Sequence, residues 1–152
     1  MPDAYTTALM LLSARELSEA QLRTRLTRRQ LDPDEIDATI QKLRHDGTLD
    51  DRRVALAAAR MESTIRHRGR ARVLQKLRQI GIDGSIAESA VNEVFEEVDE
   101  SALLDRAFER RLRGQASGDL DEKARARIVR GLIAQGFAPG AVFARLRHAD
   151  DD

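Results

Sequence analysis

The chain has 152 residues, carries 26 Lys and Arg against 26 Asp and Glu, and is 41% hydrophobic with one Tyr, four Phe and no Trp. Such a composition belongs to a soluble, helix-rich chain, long enough for one compact domain or for three small modules in a row. The lack of cysteine excludes a disulfide framework and a thiolate nucleophile, which makes a reducing cytoplasm the natural compartment, and the opening MPDAYTTALMLLSARE reads as neither a signal peptide nor a membrane span.

Ala8, Leu9 and Leu12 share one face of a first predicted helix, and Ser18 caps a second bearing Leu22 and Leu26. Asp32-Pro33 opens a third: Asp accepts from free amides at a helix start, and Pro at the first helical position lacks only a donor that would go unpaired. Ile36, Ile40 and Leu43 follow at helical spacing, and Gly47 ends the segment. Val54, Ala58, Met61 and Ile65 then form one stripe, Val73, Leu77 and Ile80 the next, and Ile86, Ala90, Val94 and Val98 a third. Gly81 suits a left-handed C-terminal cap. Leu104, Phe108 and Leu112 precede a polar break from Gly114 to Asp119, after which come Ile128 and Leu132. Gly136-Phe137 repeats the Gly81-Ile82 exit, and Pro139 opens a last short helix with Val142, Phe143 and Leu146. No segment alternates with the period of two that a half-buried strand requires, so the chain is predicted to be all-α, with nine helices.

The helices group in threes. A leucine near the end of a helix is followed five positions later by a single apolar residue at Leu26 and Leu31, Leu77 and Ile82, and Leu132 and Phe137, with the leucines 51 and then 55 residues apart. This periodicity predicts three tandem three-helix repeats, at 1–49, 50–98 and 99–148, with an acidic tail at 149–152. Helices this short draw most of their stability from packing, so each unit should lean on its neighbours. Repeated helical units make extended surfaces, which favour binding over catalysis.

A zero net charge conceals segregation. Residues 51–82 hold nine basic side chains against Asp51 and Glu62, whereas residues 83–105 hold eight acidic ones and no basic one. Two readings are open: the blocks fold side by side and largely cancel as solvated faces, or the basic face meets phosphates or an acidic protein surface. Arg66, Arg68, Arg70 and Arg72, continued by Lys76 and Arg78, form the candidate partner-binding set, because guanidinium suits bidentate carboxylate or phosphate contacts. The few aromatics are not interleaved with these residues and are better suited to core and end positions than to base stacking.

No catalytic constellation is found. His45, His67 and His148 lie far apart without ligand-spaced partners, so no metal site is expected, and neither a Gly-rich phosphate cradle nor a nucleophile elbow is present. Asp50-Asp51 stands at a helix start, where carboxylates cap free amides and oppose the helix dipole.

LLSARELSEAQLRTRL (11–26), DGTLDDRRVA (46–55), HRGRARVLQKLRQIGID (67–83) and ARIVRGLIAQGFAPGAVFARL (126–146) together resemble the RecX family of bacterial RecA regulators, in the family's order and over nearly the whole chain. The first repeat departs from the pattern by exiting with Gln30-Leu31 where a glycine is usual, and Arg60 to Thr64 lacks the aromatic residue often carried there. The resemblance implies an elongated, curved protein of three-helix repeats without enzymatic activity or cofactor. It also implies a partner, the RecA filament on DNA, bound in its helical groove so that ATP hydrolysis, strand exchange and LexA coprotease action are suppressed. A monomer in the cytoplasm with at most weak direct DNA contact is expected. The rival reading is a sequence-nonspecific DNA-binding helical module acting through the Arg66 to Arg78 face.

Overall fold

A computed structural model describes residues 2–151. Among these the chain forms nine α-helices and no strand: α1 Ala4–Ala14, α2 Glu19–Arg28, α3 Pro33–His45, α4 Asp51–Arg60, α5 Arg70–Gln79, α6 Gly84–Glu97, α7 Glu100–Leu112, α8 Glu122–Ala134 and α9 Pro139–Asp151. α4 runs on into a π-helical turn, Met61–Ile65, and a 3₁₀ turn, Ser117–Asp119, lies between α7 and α8. None of the helices is long and apolar enough to cross a membrane.

Short polar side chains set the helix starts. Asp3, Asp32, Asp99 and Asp121 each accept from the amide three residues on, satisfying donors that have no partner within the helix. Ser18 does the same for Gln21, whose side chain returns a bond to the Ser18 amide at 2.9 Å, closing a capping box.

The five-residue spacing of the anchor pairs has a local cause. The amide of Ile82 donates to the carbonyl of Leu77 at 3.1 Å and that of Phe137 to Leu132 at 3.2 Å, across left-handed Gly81 and Gly136. This is the Schellman turn, in which the residue three past the helix packs on the third from its end. Leu26, Leu77 and Leu132 are all fully buried.

The described residues divide into two compact units, one holding the residues up to Ala58 together with Leu77–Ala90, the other Ala59–Lys76 together with the residues from Val91 onward. In the first, α1 to α3 close over a core of Leu17, Leu22, Leu26, Ile36, Ile40 and Leu43, with Leu49 sealing the exit from α3. In the second, α7, α8 and α9 pack around Leu104, Phe108, Leu112, Ile128, Leu132 and Leu146, with Phe137 between them.

Four apolar side chains depart from the faces expected for them. Leu9 lies on the outer side of α1, where Ala4, Thr7 and Ala8 are buried instead, and Phe143 is 47% exposed on α9. Met61 and Ile65 are 54% and 69% exposed, because α4 and the π-turn bury the small-residue line Ala55, Ala59 and Ser63 rather than the larger stripe. Small side chains allow closer packing, and the wide turn carries Glu62 inward, where its charge is matched by arginine.

Candidate partner-binding surface

Two joints built from the same parts position the helix that carries the basic block. In the first, the Ser18 hydroxyl donates to the carbonyl of Ile80, and Asp51 at the start of α4 accepts from the first amide of α2, at Glu19, at 2.8 Å. In the second, the Gly69 amide donates to the carbonyl of Gln135 at 3.0 Å, and Glu100 at the start of α7 accepts from the first amide of α5, at Arg70, at 2.7 Å. The second joint is reinforced by the Ala71 amide on the Gly136 carbonyl at 3.2 Å and by the Gln135 side-chain amide on the His67 carbonyl at 2.7 Å.

Each joint closes on a glycine. A Cβ on Gly81 would lie 2.4 Å from Cβ of Ala20, and one on Gly136 would lie 2.5 Å from Cβ of Arg72 and 2.6 Å from the Gly69 carbonyl oxygen. Gln30, at the corresponding turn after α2, adopts φ +62 with its side chain exposed, so the left-handed turn alone does not demand glycine. The close approach demands it.

Asp50 caps its own helix, whereas Asp51 accepts from the first amide of α2. Asp50 accepts from the amides of Arg52 and Arg53 at 3.0 and 3.2 Å. Burial pushes the Asp51 carboxyl above the ordinary range, with the nearby charges of Glu19 and Asp50 acting in the same direction against the bond from the Glu19 amide. Among the described residues no group of three or more His, Cys, Asp or Glu is placed to hold a metal ion.

The predicted arginines divide by environment. Arg66 and Arg68 converge on the buried Glu62, at 3.3 and 3.5 Å. Glu62 and Arg66 stand four residues apart, a spacing that pairs side chains on one helix face, and the chain after the π-turn brings Arg68 back to the same carboxylate. Arg70 donates to Asn92 Oδ1 at 2.6 Å and stacks over Phe95 at 5.7 Å, fixing its stem against α6. Arg72 reaches only Gln75 on its own helix, Lys76 is half-buried, and Arg78, exposed, belongs to the other compact unit. The acidic block meets the basic one through Arg60 and Glu97 at 3.4 Å, while Glu100 takes the main-chain amide of Arg70 and not its charge.

The structure adds Met61 and Ile65, which stand exposed on the turn whose next residue is Arg66. Sequence pattern placed both in the core, and the only signal against it was the charge of Glu62 between them.

Residues 4–43 match the model of the first three-helix domain of RecX. A regulatory protein RecX from Syntrophotalea carbinolica is 35% identical over 144 residues, spanning 93% of this chain and 92% of the relative. The chain belongs to the RecX family. A second RecX, from Pelodictyon phaeoclathratiforme, is 31% identical and is covered over 94% of its length. The crystal structure of RecX from Lactobacillus salivarius superposes with a TM-score of 0.84 at 21% identity, over 98% of this chain and 96% of that one, which extends the likeness to the all-α fold. The RecX family is one of regulatory proteins.

Proposed function

We propose that this chain binds the RecA filament assembled on DNA and restrains its ATPase, strand exchange and LexA coprotease activities without chemistry of its own. Similarity to regulatory RecX proteins over nearly the full length of the chain supports the reading. Three repeats, at 1–49, 50–98 and 99–148 with the acidic tail at 149–152, would present successive surfaces to successive protomers, as a monomer in the cytoplasm. Arg66, Arg70 and Arg72 would supply charge that steers and orients, and Met61 and Ile65 the apolar anchors that basic residues alone lack. Lys76 would extend the basic face.

The test is inhibition of RecA ATPase on single-stranded DNA by wild type and by the double variant Met61→Ser with Ile65→Ser. Both side chains already face solvent, so the fold should be unaffected while the inhibitory concentration rises by about tenfold or more. A double variant as potent as wild type would remove this face from the contact. Comparing binding to a preformed filament with binding to bare DNA separates filament recognition from simple DNA binding through the arginines.

A further inference from the structure

Between the end of α7 and the flank of α8 lies a cleft of about 440 Å³ lined by Arg110, Arg111, Arg113 and Arg127 with Gln115 and Gln135, and no carboxylate lines it. Its floor is the buried pair Leu112 and Ile128. Among the described residues Arg110, Arg113 and Arg127 make no ion pair. Of the arginines elsewhere, Arg44 pairs with Glu19, Arg53 with Glu16, Arg125 with Asp150 and Arg145 with Asp105; what sets the cleft apart is that it gathers four guanidiniums in one lining without a carboxylate. Cations in the last turn of a helix oppose its dipole, which accounts for Arg110 or Arg111, but Arg127 lies in the first half of α8 and serves no such end.

The cleft is also pre-shaped. Gly131 stands inside α8, where alanine would favour the helix by roughly 1 kcal/mol, and a Cβ there would lie 2.1 Å from Nη1 of Arg111. The missing side chain is the seat of that guanidinium. Gln135 holds it in place, accepting from Arg111 Nη2 at 3.2 Å with its oxygen while its amide nitrogen is committed to the His67 carbonyl. One cation is therefore fixed and three face solvent.

We infer that this cleft binds phosphates of a nucleic-acid strand, as a site separate from the Arg66 to Arg78 face. Converging guanidiniums with amide donors and no carboxylate match the charge and the bidentate geometry of phosphodiesters. An acidic protein surface is the less fitting occupant, because protein contacts centre on exposed apolar anchors and the apolar residues here are floor, not rim. With no aromatic in the lining, the site grips backbone and is indifferent to base.

The experiment titrates labelled oligothymidylate with the full chain and with Arg110→Gln, Arg113→Gln and Arg127→Gln combined, over a range of salt. Each phosphate contact on a single strand contributes about 0.7 to the slope of log affinity against log salt, so losing three should lower that slope by about 2 and the affinity at low salt by at least about tenfold. A control combining Arg106→Gln, Arg130→Gln and Arg147→Gln removes the same charge outside the cleft and should change the slope little. No binding by wild type, an unchanged slope in the cleft variant, or an equal loss in the control would each overturn the site. Displacement of the oligonucleotide by polyglutamate at equal charge concentration would overturn it in favour of an acidic protein. Filament inhibition by the same variants is read separately, so this site and the proposed filament contact fail independently.

Discussion

Gly136 offers the sharpest test of how the end of α8 closes on the start of α5. At φ +112 its backbone is already in a region costly to L side chains, and an alanine Cβ would meet Gly69 O at 2.6 Å and Arg72 N at 2.7 Å, both backbone atoms that cannot swing aside. Gly47 isolates the conformational part, since it adopts φ +82 with nothing within 4 Å of where a Cβ would stand. Gly47→Ala should therefore cost about 1 to 2 kcal/mol. Gly136→Ala adds overpacking of about 1 to 3 kcal/mol, for a total of roughly 2 to 5. The Gly69 and Ala71 hydrogen bonds to Gln135 and Gly136 stretch as the strands of chain part. Urea unfolding of wild type and both variants at 25 °C, followed by far-ultraviolet circular dichroism, reads the difference. Equal costs for the two substitutions would refute the close-approach account and leave only the left-handed turn.

Three further outcomes are expected. Arg68→Glu should destabilise by about 3 kcal/mol, because it sets a second carboxylate against the buried Glu62; Arg72→Glu, which loses only a bond to Gln75, should stay within about 0.5 kcal/mol, and denaturant midpoints decide between them. Leu26→Ala, Leu77→Ala and Leu132→Ala should each cost about 2 to 5 kcal/mol, all three side chains being 0% exposed; a midpoint close to wild type at any one would break the equivalence of the repeats. The Asp51 carboxyl is raised in the folded chain, so the fold holds its proton more tightly than the unfolded chain does, and the ionised form costs stability once pH exceeds the folded value. Asp51→Asn keeps an oxygen for the Glu19 amide and should equal or exceed wild type in thermal stability at pH 7, with the gap narrowing as pH falls through the carboxylate range; a gap that widens on acidification would reverse the sign.

What could be read from the residues was whatever depends on near neighbours. The capping bonds of Ser18, Asp32 and Asp50 lie within a turn of chain, so their side-chain chemistry already states that role, whereas the bonds of Ser18 to Ile80 and of Asp51 to the Glu19 amide reach across the fold and were not legible. The five-residue anchor spacing is likewise a property of one helix end. The face buried by α4 is different. Two stripes competed, a larger one through Met61 and Ile65 and a smaller one through Ala55, Ala59 and Ser63, and close packing selected the smaller by turning the backbone through a π-helical step. Hydrophobicity weighs side chains one by one and favours the wrong stripe. The arginine cleft escaped for a topological reason: Arg110, Arg111 and Arg113 are adjacent, but Arg127 joins them only because α7 and α8 fold back on each other, and counting charge along the chain separates what the hairpin unites. Gln30 is the converse case, an apparent departure in sequence that its exposed position makes harmless.

The joints have an evolutionary corollary. Each joint uses a main-chain carbonyl as acceptor, at Ile80 or Gln135, and a main-chain amide as donor to one carboxylate, Asp51 at the start of α4 or Glu100 at the start of α7, with one glycine at each close approach. Every amino acid but proline brings its own amide and every one its own carbonyl, so the alignment of one helix on the next does not have to be rewritten when the surface changes. Asp and Glu are interchangeable in that role here, and a serine hydroxyl in one joint does the work of a glycine amide in the other. Outward-facing residues are thereby released from holding each joint closed and left free to follow a partner that itself changes.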